Sequence, residues 1–142
     1  MTYLDTGCFV KLYCPEPDSA KVVALVQGRV LYCTPLHELE FVNALQLKLY
    51  FKSATAAQAT AARALVDADL KAGVLRSPVT GWNEVLAEAV KLAEMHTGTI
   101  GCRSLDILHC AAAKVLAATE FISTDARQRK LAVAMGLNLV TF

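Results

Sequence analysis

The sequence predicts an α/β fold in which short strands alternate with helices and pair in a mostly parallel sheet. Three observations carry this. Short apolar stretches at 1–5, 30–33, 74–79, 121–123 and 138–142 lack room for a helical period. Between them lie longer segments with apolar residues at helical spacing, such as 36, 39, 42, 45 and 49. A helix between successive strands is the crossover that parallel neighbours require.

Taken in order, Met1-Thr2-Tyr3-Leu4-Asp5 reads as a first strand ending on an acid, with a turn at Thr6-Gly7. A short helical piece over 8–13 is stopped by Pro15-Glu16-Pro17. Asp18 or Ser19 then caps a helix to Gln27 that Gly28 closes. Val30 to Cys33 is strand-like. Thr34-Pro35 is a helix start, with Thr as N-cap and Pro at the first helical position, and the helix runs to about Lys52. The Ala-rich stretch 54–72 is a second long helix, pairing with the previous one as a hairpin and ended by Gly73.

Val74 to Val79 is extended, Trp82 to His96 is an amphipathic helix ended by Gly98, and a further helix begins around Arg103 and reaches about Ala118. Phe121-Ile122-Ser123 is a strand followed by another acid, Asp125. A helix from Ala126 to Met135 closes on Gly136, and Asn138 to Phe142 forms the last strand.

A length of 142 residues predicts one domain over 1–142. Apolar residues make up 55% and charged residues 19%, against a usual charged share of about 25%, which excludes a disordered chain. The excess predicts apolar surface outside the core, where a partner protein or a second copy would cover it. With 14 Lys+Arg against 13 Asp+Glu, the net charge is +1, so any nucleic-acid contact must be local. Charges interrupt every apolar stretch before the roughly 18 residues of a membrane span, and the N-terminus shows no basic-then-apolar signal. A cytoplasmic location and no membrane contact are the resulting expectations. Cys8, Cys14, Cys33, Cys102 and Cys110 form no CxxC pair and are odd in number, so they read as buried reduced thiols.

Ligands of α/β folds bind beyond the carboxyl ends of the strands, which makes Asp5 and Asp125 candidates for one site. Glu16, Asp18, Asp67, Asp69, Glu84, Glu88, Glu94 and Glu120 read as solvated. Glu40 lies between Leu39 and Phe41, and Asp106 between Leu105 and Ile107. A carboxylate close to a core costs several kcal/mol unless paired or metal-bound, so each needs a reason. For Asp106 a salt bridge with Arg103 is one. Four acids near the strand ends would repel without cations, and an all-oxygen set suits Mg²⁺ or Mn²⁺ better than zinc. Phosphodiester hydrolysis is the matching chemistry.

At these residues the sequence resembles the PIN-domain ribonucleases, and among them the VapC toxins of toxin–antitoxin pairs. Tyr3-Leu4-Asp5-Thr6-Gly7-Cys8-Phe9-Val10-Lys11-Leu12-Tyr13 is similar to their opening strand and turn, and Glu40-Phe41-Val42-Asn43-Ala44-Leu45 to their acid-bearing helix. Arg103-Ser104-Leu105-Asp106-Ile107-Leu108-His109-Cys110-Ala111 resembles a second such helix, and Phe121-Ile122-Ser123-Thr124-Asp125 the late strand. The resemblance implies a PIN-like three-layer α/β/α sandwich with a central mostly parallel sheet and a helical hairpin. It implies a metal-dependent endoribonuclease toxin that hydrolyses RNA through a Mg²⁺- or Mn²⁺-activated water and is neutralised by a VapB-like antitoxin.

By that resemblance Asp5, Glu40, Asp106 and Asp125 are the catalytic, metal-binding acids, with Thr6 and Ser123 as hydrogen-bonding supports. Glu38 is the rival to Glu40. Two residues apart on a helix, they point about 200° from each other, and the family pattern favours Glu40. Gly7 stands where the family often has Ser, and Ala126-Arg127 add no further acid after Asp125, which favours one resident ion with a second arriving with RNA.

His109 shares a helix face with Asp106 and reads as a packing or hydrogen-bonding residue ahead of a general base. Lys11, Arg103 and Arg127 are candidates for holding phosphate, and Arg129 and Lys130 equally read as solvated. The family further implies a homodimer and an antitoxin seated between the helices at 36–52 and 54–72. The alternative reading is a catalytically inactive PIN-fold binding module acting through protein contacts. A haloacid-dehalogenase-like phosphatase would need an acid at position 7, which is Gly, and a phospho-receiver an acidic pair at Asp5-Thr6.

Overall fold

Strand β1 (Thr2–Leu4) opens the chain in the computed structural model, which describes residues 1–141. Contacts gather into two compact units, one of Met1–Asp5 with Val79–Thr141 and one of Thr6–Pro78.

In the first unit β1 lies parallel to β4 (Glu120–Ile122), with Thr2 opposite Glu120, Tyr3 opposite Phe121 and Leu4 opposite Ile122. β4 in turn pairs in parallel with β5 (Leu139–Val140). Tyr3, Leu4, Phe121 and Ile122 are wholly buried, as strands covered on both faces require. Tyr3 stacks on Phe121 at 5.8 Å, and its hydroxyl meets Nδ1 of buried His109 at 3.0 Å.

The helices of this unit are α5 (Trp82–Leu92), α6 (Gly98–Ile100), α7 (Ser104–Val115) and α8 (Ala126–Ala134). α7 presents the fully buried Cys110-Ala111-Ala112-Ala113. Their short side chains leave room for the close approach of α5 and α8, both of which pack on α7. Between α5 and α6, Ala93–Thr97 form a π-helical turn, so the helix expected to end at His96 runs on to Ile100.

The second unit holds α1 (Thr6–Tyr13), α2 (Ser19–Val26), β2 (Leu31–Tyr32), α3 (Pro35–Tyr50), α4 (Ala56–Ala72) and β3 (Leu75–Arg76). β2 and β3 pair in parallel, Leu31 opposite Leu75. Each long helix has a capping box: Thr34 with His37, and Thr55 with Gln58. Phe9, Tyr13, His37 and Phe41 form an aromatic cluster joining α1 to α3.

Several expectations change in detail. Thr6 and Gly7 are the first residues of α1 rather than a separate turn. β4 begins one residue earlier than expected and leaves Ser123 outside it. The last strand covers only Leu139–Val140, and the expected Phe142 lies outside the described residues. The buried face of α3 is Leu36, His37, Phe41 and Leu45, whereas Leu39 is 67% exposed. Among the acids read as solvated, Asp69 accepts the Tyr13 hydroxyl at 2.8 Å, Glu16 pairs with Lys48 at 2.5 Å, and Glu120 accepts Thr2 Oγ1 at 2.7 Å.

All five cysteines are buried and none is paired in a disulfide. Burial pushes the Cys33 thiol up to about 11 and raises Cys14, Cys102 and Cys110 as well. Among the described residues no helix is long and apolar enough to cross a membrane.

Candidate active site

The site is built where β1 and β4 end. The backbone N–H of Asp5 donates to Ile122 O at 2.9 Å, carrying the ladder one residue past β1 and fixing a carboxylate that is almost fully buried. Ser123 follows β4, donates its hydroxyl to Asp5 Oδ2 and accepts the N–H of Asp125 at 3.0 Å. One buried hydroxyl thus ties the two strand-end acids together.

Asp125 is the N-cap of α8, its Oδ1 accepting from the N–H groups of Arg127 at 2.8 Å and Gln128 at 3.2 Å. Asp106 occupies the third position of α7, and its Oδ2 accepts the N–H of Arg103 at 3.0 Å. Both acids therefore stand at helix N-termini, where the backbone dipoles favour negative charge.

Two arginines face these acids. Arg103 forks onto Asp106, Nε to Oδ2 and Nη2 to Oδ1, each at 3.1 Å, and the same Nη2 reaches Asp125 Oδ2 at 3.4 Å. Arg127 Nε lies 3.7 Å from Asp106 and 3.9 Å from Asp125. Gln128 Nε2 adds a bond to Asp106 Oδ1 at 3.3 Å. Burial alone would raise the Asp106 carboxyl. The Arg103 side chain and backbone, Gln128 and the Arg103 charge outweigh it and hold the group below the usual carboxylate range.

Asp5, Asp106, Asp125 and Ser123 thus form one hydrogen-bonded neighbourhood with Arg103 and Arg127. The salt bridge expected between Asp106 and Arg103 is present. In the other unit, Glu40 of α3 is half-buried and accepts the hydroxyl of Thr6, the residue after Asp5, at 2.6 Å. Its rival Glu38 is exposed and pairs with Arg63 of α4 at 3.1 Å. Lys11 lies in the last turn of α1. His109 is 1% exposed and engaged with Tyr3, which fits packing better than proton transfer. The sequence did not single out Gln128, because a glutamine on an amphipathic helix carries no signal of its own.

Among the described residues no group of three or more His, Cys, Asp or Glu is arranged to hold a metal ion. The donor chemistry nonetheless fits a hard divalent cation. The acids supply oxygen only, and beside Asp106 the buried Oε1 of Gln128 has no hydrogen-bond partner, while its amide nitrogen is committed to the carboxylate.

Residues 2–134 match the family model for the PIN domain. The chain belongs to the PIN domain family. None of the curated proteins matches it. Among solved structures this PIN chain is similar to FitAcB from Neisseria gonorrhoeae, at 17% identity over 99% of this chain and 97% of that one, with a TM-score of 0.65. It is similar to VapBC2 from Rickettsia felis bound to a DNA fragment from their promoter, at 16% identity, 99% and 98% coverage and a TM-score of 0.66. VapBC-1 from nontypeable Haemophilus influenzae gives 18%, 99% and 97%, and 0.62. The α/β fold with parallel strands read from the sequence is the fold of this PIN family.

Proposed function

We propose that the chain is a VapC-like toxin, a single PIN-like domain over 1–142 that cleaves RNA phosphodiester bonds with Mg²⁺ or Mn²⁺ and is neutralised by a VapB-like antitoxin. The observation that carries it is the gathering of Asp5, Asp106 and Asp125 at the ends of β1 and β4. Three carboxylates and two arginines in one place have the composition of a phosphate-handling site. The resemblance assigns Glu40, oriented by Thr6, as the fourth acid.

Bound to these acids, Mg²⁺ or Mn²⁺ would lower the pKa of an attacking water and neutralise charge building on the phosphate. Asp5 and Asp106 are the principal holders, both being buried and fixed by neighbouring donors. Ser123 sets the Asp5 carboxylate, and Asp125 joins from the cap of α8. Arg103 and Arg127, both exposed beside the acids, would meet the substrate phosphate, and the sequence reading adds Lys11 of the other unit as a candidate for the same task. Cleavage of single-stranded RNA with added Mg²⁺ or Mn²⁺ tests this. The wild-type protein should cleave, and EDTA or Asp5→Asn should abolish it. Equal cleavage by both proteins after removal of contaminating nuclease would sink the reading.

The antitoxin expectation draws on the VapBC and FitAcB neighbours and on the α3–α4 hairpin, where a groove of about 430 Å³ is lined by Val42, Leu45, Leu49, Ala56 and Ala59. Leu39, Leu47, Tyr50, Phe51 and Leu65 are exposed on or beside the same helices. A homodimer would cover further apolar surface; light scattering that shows only monomer at micromolar concentration would contradict it.

One observation favours the second reading, an inactive binding module: the acids already carry arginine counter-charges. Calorimetric titration with Mn²⁺ separates the two, since a module that has lost turnover in this way takes up no ion.

A further inference from the structure

We propose that Arg103 is a built-in competitor for the cation of the Asp106–Asp125 pair, so that a divalent ion gains these carboxylates only by breaking the Arg103 fork. The inference rests on the metal-dependent reading above and adds to it a residue that sets metal affinity.

An ionised carboxylate offers about four acceptor sites. Asp106 Oδ2 accepts from Arg103 N at 3.0 Å and Arg103 Nε at 3.1 Å, and Oδ1 accepts from Arg103 Nη2 at 3.1 Å and Gln128 Nε2 at 3.3 Å. Every site is therefore used. An incoming ion must displace a donor, and the donors differ in how firmly they are held.

The Arg103 N–H belongs to the backbone at the start of α7, and Gln128 is buried on α8. The Arg103 side chain is 63% exposed and can turn into water with its charge solvated. It is also the group that bridges, since its Nη2 touches both Asp106 and Asp125. A cation shared by those two acids needs the space between them that the guanidinium holds. Arg127 approaches the same two carboxylates, at Asp106 Oδ2 and Asp125 Oδ1, only at 3.7 and 3.9 Å, outside hydrogen-bond distance, and is the weaker competitor.

Mn²⁺ affinity, read by electron paramagnetic resonance of the free ion on full-length protein, tests the proposal. Arg103→Gln should bind Mn²⁺ about tenfold tighter than wild type, which is the order expected for releasing one exposed charge-assisted fork. Arg103→Lys, which keeps the charge but cannot span both acids, should fall between. Arg127→Gln should change affinity by less than about threefold.

Thermal unfolding supplies a second readout. Arg103→Gln should melt below wild type in EDTA and gain more than wild type on adding Mn²⁺. If the glutamine variant fails to fold, the lysine variant decides alone. Equal or weaker Mn²⁺ binding by Arg103→Gln and Arg103→Lys would overturn the competition while leaving the metal reading intact. Absence of Mn²⁺ binding by every variant, wild type included, would overturn both.

Discussion

Asp106 and Glu40 are both helical carboxylates set among apolar neighbours, yet the two units hold them by different means. Asp106 is 2% exposed and satisfied by a guanidinium, a backbone N–H and a buried amide. Glu40 is half-buried and accepts a neutral hydroxyl from Thr6. A buried acid paired with a guanidinium is a charged element of the fold before any ligand arrives, whereas Glu40 is set against the hydroxyl of the residue that follows Asp5. On the proposed function, the difference predicts that substitutions around Arg103 change metal affinity more than substitutions around Glu40 do.

The largest expected effect is on Asp106→Asn, which should lower RNA cleavage by about a hundredfold or more, read in single-turnover assays. Glu40→Gln should cost about tenfold, and Thr6→Val less again. A Glu40→Gln loss equal to that of Asp106→Asn would break the comparison.

Next in size is a pH effect on stability. The Asp106 carboxyl lies below its usual range in the folded chain, so its pairing stabilises the fold above the unfolded carboxyl value of about 4 and is lost as pH falls through the folded value. Urea unfolding in EDTA should show wild type losing more stability than Asp106→Asn on acidification below about pH 4.

Tyr3→Phe should destabilise by about 1–2 kcal/mol at neutral pH, because buried His109 Nδ1 loses its hydroxyl partner. The smallest effect belongs to Glu38→Gln. Its pair with Arg63 is exposed on both sides, so stability should move by less than about 0.5 kcal/mol and cleavage not at all, which sharpens the contrast with Glu40.

Much of this was legible in the sequence. Asp5 and Asp125 follow strand ends and Asp106 meets Arg103 three residues earlier, as the pattern implied, and Ser123 hydrogen-bonds to Asp5. The alternation of strands and helices and the cap at Thr34 were readable because cap chemistry is local, whereas the Thr55 cap inside the Ala-rich stretch was not singled out.

What escaped the sequence was set by tertiary packing. The apolar count placed Leu39 and Leu105 inside, but the faces that turn inward carry His37, Phe41 and Asp106, leaving Leu39 and Leu105 out. His37 gave no signal because a histidine replaces the usual Glu or Gln of a capping box, and Nδ1 accepts the Thr34 N–H at 3.1 Å. Asp69 reads as a surface acid until Tyr13 is found 2.8 Å away. The π-helical turn at Ala93–Thr97 has no compositional mark.

The central claim, that these acids hold a divalent ion, is tested most directly by soaking crystals in Mn²⁺ and collecting anomalous diffraction. The expected result is a peak against the Asp5, Asp106 and Asp125 carboxylates, with Arg103 swung away from Asp106 and Asp125. A fork that stays closed with no peak, at a Mn²⁺ concentration where the same protein cleaves RNA, would contradict it.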